Sequence, residues 1–197
     1  SESFQISNTN KSIKESENEL AEILSIGEKE NKKVVVYLSM CFGNPYGDVW
    51  NLDIINHWIY KLKDMGVKII SLSDTIGSSN PESIRSIFNS VLKNHSDIEF
   101  GAHLHSDPNS WHDKIHSAFE AGCRRFDGAI KGFGGCPMAA DDLTGNMPTE
   151  GMKAYFDANK IGTNLDEKEF QTDVDNLRSR YLDQGYLDFK VDKVERE

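Results

Sequence analysis

His103 and His105 stand two residues apart in the stretch AHLHSD. On an extended strand that spacing sends both imidazoles off the same face. Two imidazoles there can hold one divalent cation, with the remaining positions left to oxygen ligands; they can equally be a hydrogen-bonded pair at a sheet end. Cys136 lies in KGFGGCPMAADDLTGN, between Gly134-Gly135 and Pro137. So many glycines and prolines exclude a regular helix or strand. Inward-pointing N–H groups of Gly134 and Gly135 would favour a thiolate at Cys136; the alternative is a small buried side chain. A core cysteine needs no such loop around it, which argues for chemistry. Asp74, in SLSDTIG, can act on a substrate hydroxyl or organise its own loop as a cap or turn residue. Asn146 is either a turn residue or a side-chain oxygen for a metal. Cys41 and Asn44, in CFGNP, form another polar loop group in which Cys41 stays undecided, while Cys123 reads as packing.

These residues need elements to hold them, and the chain alternates in type. Ser12 to Glu15 reads as a capping box opening an amphipathic helix, with Leu20, Ile23 and Leu24 inward. Four short apolar runs read as strands: VVVYLSM (34–40), VKIISLS (67–73), IEFGAHL (98–104) and RRFDGAI (124–130). Helices fall between them. One ends at Gly66, one opens at Asn80-Pro81, one runs near 110–121 to Gly122, and two more lie near 149–158 and 166–183. Strand, helix, strand at about 30 residues per unit means βαβ units and a parallel sheet, either doubly wound or part of a (β/α)8 barrel. Each strand empties into one of the polar groups above, which is where α/β folds keep their chemistry. The whole chain, 1–197, reads as one domain, with a polar lead-in over 1–11 and a helical C-terminal segment over 160–197.

Bulk properties exclude several classes. The 197 residues carry a formal net charge of −10, with no basic face for nucleic acid. No apolar run approaches the roughly 20 residues of a membrane span. Three cysteines and no signal-like start point to a reduced, cytoplasmic setting. There is no P-loop and no G-x-G-x-x-G fingerprint, so no nucleotide cofactor is inferred.

Taken together, SMCFGNPYGD, SLSDTIG, AHLHSD and above all GFGGCPMAADDLTGN followed by TE resemble the 3-hydroxy-3-methylglutaryl-CoA (HMG-CoA) lyase family of (β/α)8 TIM barrels, from about Ser12 to Glu150. The resemblance implies a retro-Claisen cleavage of HMG-CoA to acetyl-CoA and acetoacetate, assisted by Mg²⁺ or Mn²⁺. It implies His103, His105 and Asn146 as metal ligands, Asp74 as the catalytic aspartate and Cys136 as the loop cysteine needed for turnover. It places Gly134, Gly135, Cys41 and Asn44 in the loops around substrate. The base is unassigned, with His103 the first choice. An acyl-CoA substrate and a homo-oligomer, a dimer, are the expected partners.

The sequence departs from the family in two ways. The spacing from Cys136 to Asn146 is one residue longer than usual, which weakens the ligand role of Asn146 unless the loop bulges. The resemblance also begins at the helix after the family's fourth strand. Only about the last four β/α units of the barrel are expected here, and a non-Met start agrees with a truncated chain that is weakly active or inactive. The competing readings are a related aldolase or condensing enzyme acting on a 2-oxo acid, and a non-catalytic half-barrel that serves as an interaction partner.

Overall fold

The computed structural model describes residues 1–134 and 144–183. Its elements are α1 (Glu2–Thr9), α2 (Ile13–Lys29), β1 (Val35–Leu38), α3 (Leu52–Asp64), β2 (Ile69–Ser73), α4 (Pro81–Asn94), β3 (Glu99–His103), β4 (His105–Ser106), α5 (Trp111–Glu120), β5 (Arg125–Phe126), β6 (Gly145–Asn146), α6 (Thr149–Ala158) and α7 (Glu167–Asp183). β1, β2, β3 and β5 form one parallel sheet in that order. The strands are joined through α3, α4 and α5, the βαβ arrangement expected from the alternation.

The register decides what each face of the sheet carries. Tyr37, Ser71, Gly101 and Arg125 share one rung, and Leu38, Leu72, Ala102 and Phe126 share the next. Side chains alternate along a strand, so the second set faces the helices. There it joins Ile55, Ile59 and Leu62 of α3, Ile84, Ile87, Phe88 and Val91 of α4, and Ile115 and Ala118 of α5 in one core. The other face holds Tyr37, Ser71, Ser73, His103, Arg125 and Asp127. It is polar, and it leads up to the strand ends that carry the candidate residues.

Local signals place most helix ends. Ser12 Oγ accepts from the Glu15 amide at 3.2 Å while the Glu15 carboxylate accepts from the Ser12 amide at 2.8 Å. Asn80 caps α4 ahead of Pro81. Gly66 and Gly122 end α3 and α5 at φ of 97° and 101°, in the left-handed region that glycine enters without strain. Ile23 is a correction: it is 46% exposed. α2 covers the sheet with a stripe one residue wide, Leu20, Leu24 and buried Gly27, and Ile23 falls on its flank.

The other differences come from tertiary contacts. The lead-in contains a helix, α1, with no buried residue; Asp48 accepts from the amide and hydroxyl of Ser3 and ties it down. The fourth strand is shorter than 124–130. At Gly128 the chain leaves the sheet, and Ala129 pairs with Pro148 instead; a Cβ on Gly128 would lie 2.9 Å from the Met147 carbonyl. The third strand breaks at Leu104, so His103 closes β3 and His105 opens β4. Among the described residues no helix is long and apolar enough to cross a membrane.

Cys41 and Cys123 are both fully buried in this core. Their thiols donate to the carbonyls of Leu38 and Arg125, at 3.0 and 3.1 Å. Burial pushes each thiol up to about 12, leaving roughly a thousandfold less thiolate than an ordinary cysteine. Iodoacetamide at pH 8 should therefore leave Cys41 and Cys123 unmodified in the folded protein and label both in urea. Peptide mapping reads each site separately, and equal labelling rates in the two conditions would contradict the burial described.

Candidate active site

The two histidines meet although a break separates their strands. Their ring centroids lie 5.3 Å apart with planes at 80°. His105 is buried, and its Nδ1 lies 2.8 Å from the carbonyl oxygen of Asp74. A carbonyl can only accept, so Nδ1 carries the hydrogen and Nε2 keeps its lone pair. The same arrangement orients imidazoles that bind metals through Nε2. His103 Nδ1 is buried and has no hydrogen-bond partner. Asp127 Oδ2 lies 3.7 Å from it.

Asn146 arrives from the far side of the Gly/Cys loop. It is the register partner of His105 in the antiparallel pair of β4 and β6, so pairing, rather than loop length, sets its position. Its Nδ2 donates to the carbonyls of Phe133 and Gly134 at 2.9 and 3.0 Å. That fixes the amide the right way round, with Oδ1 turned away from both carbonyls. Gly134 makes this possible. It has φ of 89°, and a Cβ there would come 2.9 Å from Asn146 Nδ2.

Two neighbouring imidazoles, one of them tethered, and one amide oxygen suit a divalent cation that takes nitrogen and oxygen donors. No cluster of three or more His, Cys, Asp or Glu residues is available to hold one among the described residues. The fit therefore rests on His103, His105 and Asn146, with other oxygens completing the shell.

Asp74 has its carboxylate turned into the protein. It is 1% exposed, accepts from the amide of Ser79 at 3.1 Å and from its hydroxyl at 2.5 Å, and pairs with Lys114 Nζ at 3.1 Å. Of the two readings left open for Asp74, this is the geometry of the loop organiser. Lys114 also donates to the carbonyls of Gly77 at 3.0 Å and His105 at 2.7 Å. It sits on the buried stripe of α5 with Ile115 and Ala118, a position where lysine is a legible anomaly. Asp127 was missed as well. Burial works to raise its carboxyl, but the pull of His103 and of the hydroxyls of Ser71 and Tyr37 outweighs burial and holds it below the usual carboxylate range.

The remaining candidates separate. Cys41 belongs to the core rather than to the surface around a substrate. Asn44 Oδ1 accepts from the Tyr46 amide at 2.9 Å, a turn within its own loop. Gly135 and Cys136 lie outside the described residues.

The HMGL-like family model matches residues 1–177. Hydroxymethylglutaryl-CoA lyase YngG of Bacillus subtilis is 30% identical over 165 residues, which cover 84% of this chain and 55% of that protein. The cytoplasmic 3-hydroxy-3-methylglutaryl-CoA lyase of Rattus norvegicus is 31% identical over 166 residues, covering 84% and 48%. (R)-citramalyl-CoA lyase of Chloroflexus aurantiacus is 28% identical over 131 residues, covering 66% and 41%. The crystal structure of the Bacillus subtilis HMG-CoA lyase superposes with a TM-score of 0.81 at 27% identity, over 91% of this chain and 60% of that one. The chain thus spans about half the length of the curated relatives it matches. The expected barrel class, with only part of the barrel present, is borne out. The chain belongs to the HMGL-like family.

Proposed function

We propose that the chain carries the catalytic rim of a divalent-metal-dependent carbon–carbon lyase that cleaves HMG-CoA to acetyl-CoA and acetoacetate. The observation that carries the reading is the set His103, His105 and Asn146, gathered at the strand ends of a chain in this lyase family. Bound there, Mg²⁺ or Mn²⁺ would supply electrophilic polarisation of the substrate's hydroxyl and carboxyl oxygens.

The chain's own residues have three tasks. His105 is held by the Asp74 carbonyl and keeps a lone pair for the ion; Asn146 presents an oxygen because its nitrogen is tied back. Lys114 and Asp74 lock the two loops that support His105. Cys136 handles the proton. The tertiary hydroxyl loses its proton to solvent, the adjacent C–C bond breaks, and the Cys136 thiol gives a proton to the carbon that becomes the methyl of acetyl-CoA, the thiolate then regaining a proton from solvent. A thiol beside that carbon is a suitable donor. Ligation and proton abstraction compete for the same nitrogen of His103, and we assign it to the metal.

We propose further that this chain alone is a slow catalyst. Among the described residues β1 and β5 are open edges, and the polar face between them is uncovered at Tyr37, which is 49% exposed. Assembly of copies into a homo-oligomer, and the single-domain organisation of 1–197, belong to the same proposal. A second substrate is favoured by one observation, the similarity to (R)-citramalyl-CoA lyase.

Two experiments bear on this. Mn²⁺ binding to the chain, followed by the loss of the free-ion EPR signal, should weaken at least about tenfold in His105→Ala and in Asn146→Ala. No binding to the unaltered chain would sink the metal reading. Cleavage of HMG-CoA with Mn²⁺ should be slow, faster than cleavage of citramalyl-CoA, and lowered roughly 100-fold or more in Cys136→Ala. A Cys136→Ala variant with full activity would remove Cys136 from the proton transfer, and a preference for citramalyl-CoA would replace this reading with the second.

A further inference from the structure

On the polar face of the sheet, one carboxylate beyond β5 gathers groups from the other three strands. Asp127 follows β5, and its amide donates to the Ala102 carbonyl at 3.0 Å, which extends the ladder by one residue and brings it level with His103. Its Oδ2 accepts from Ser71 Oγ at 2.7 Å. Ser71 lies on β2, Asp127 beyond β5, and β3 runs between them. The bond can cross β3 because the intervening residue on that rung is Gly101. A Cβ at Gly101 would come 2.9 Å from Ser71 Oγ and 2.9 Å from Arg125 Cδ. Tyr37 from β1 closes the group, with its ring edge-on to His103 at 5.2 Å.

The adjoining histidine supplies the second half of the argument. His103 and His105 form one pair, yet only His105 has its Nδ1 satisfied. His103 Nδ1 is buried with no partner within hydrogen-bond reach, and what it faces is Asp127 Oδ2 at 3.7 Å. A carboxylate has about four lone-pair positions, so accepting from Ser71 leaves room for an imidazole N–H. A small rotation of the His103 ring turns 3.7 Å into a hydrogen bond.

We propose that Asp127 is the positioning residue of His103. Asp127, held by Ser71 through the gap at Gly101, accepts the Nδ1–H of His103 and so turns Nε2, with its lone pair, toward the space shared with His105 and Asn146. Asp127 does for His103 what the Asp74 carbonyl does for His105. The inference rests on the metal reading above for its consequence, and on the sheet geometry for its cause.

The test uses the full chain and two readouts. In the metal-free protein, long-range ¹H–¹⁵N spectra of the imidazoles report which nitrogen is protonated in the neutral ring. His103 should be the Nδ1–H tautomer, changing to a mixture or to Nε2–H in Asp127→Ala, while His105 keeps its pattern. Mn²⁺ affinity should fall about 10- to 100-fold in Asp127→Ala, less in Asp127→Asn, which retains an acceptor, and measurably in Ser71→Ala, which loosens Asp127 without touching His103. If Asp127→Ala does not fold, Asp127→Asn and Ser71→Ala carry the comparison. A His103 tautomer unchanged by these substitutions, or Mn²⁺ affinity within twofold of the unaltered chain in folded variants, overturns the proposal. If the unaltered chain binds no Mn²⁺, the metal reading fails, and the tautomer spectra still decide whether Asp127 orients His103.

Discussion

The ammonium of Lys114 lies under the rim of the sheet, 4% exposed, on a helix whose other buried positions, Ile115, Ser117 and Ala118, carry no charge. A charge there is tolerable only if its donors are met, because desolvating an ammonium costs several kcal/mol and a lost partner leaves that cost standing. The three acceptors come from three places: the Asp74 carboxylate, the Gly77 carbonyl and the His105 carbonyl. The loop after β2 and the turn between β3 and α5 are thereby fixed to one point. Asp74 serves twice, since its carboxylate meets Lys114 and Ser79 while its carbonyl meets the His105 ring. The orientation of one imidazole is thus tied to the satisfaction of a buried charge, and neither can shift without exposing the other.

The sheet follows the same economy. Strands of a parallel sheet covered on both faces read as continuous apolar runs, yet β2 reads Ile-Ile-Ser-Leu-Ser and is buried at every position. Its serines face the polar side, where Ser71 reaches Asp127 and Ser73 lies on the His103 rung. The apolar side supplies the cohesion, through Ile70 and Leu72 packed beneath α3 and α4. One strand therefore divides its residues between holding the fold and furnishing the site. Gly101 shows how closely the two are fitted, since any side chain there would occupy the path of the Ser71 to Asp127 bond.

What could be read from the sequence was what depends on neighbours along the chain. The capping box at Ser12, the Asn80-Pro81 start and the glycine stops at Gly66 and Gly122 are local devices, and they stand where the residues placed them. The pair His103 and His105 was legible because strand alternation survives the break at Leu104. What escaped depends on distant partners. Helix α1 has no apolar stripe and is held from Asp48, 45 residues from Ser3. Lys114 stands out on the buried stripe of α5, but what it does depends on Asp74, 40 residues earlier. Asp127 could be assigned to a strand, but its value comes from Ser71, 56 residues earlier. Asn146 was doubted because of loop length, a local measure, whereas its position is set by pairing with His105.

These tethers share a chemical direction. Imidazole and primary amide can each present either a donor or an acceptor to the same space. At His105 the donor nitrogen is bound by the Asp74 carbonyl, and at Asn146 both amide hydrogens are taken by Phe133 and Gly134. What remains in each case is a lone pair. His103 needs only a turn toward Asp127 to follow suit. A site assembled this way discriminates by the sign of what it meets: it offers nothing to a hydrogen-bond acceptor or an anion, and everything to a cation. Backbone carbonyls from the loops after β2 and β5 impose that choice. Loop conformation at Gly134 and at Asp74 therefore contributes as much to the character of the site as the side chains that line it.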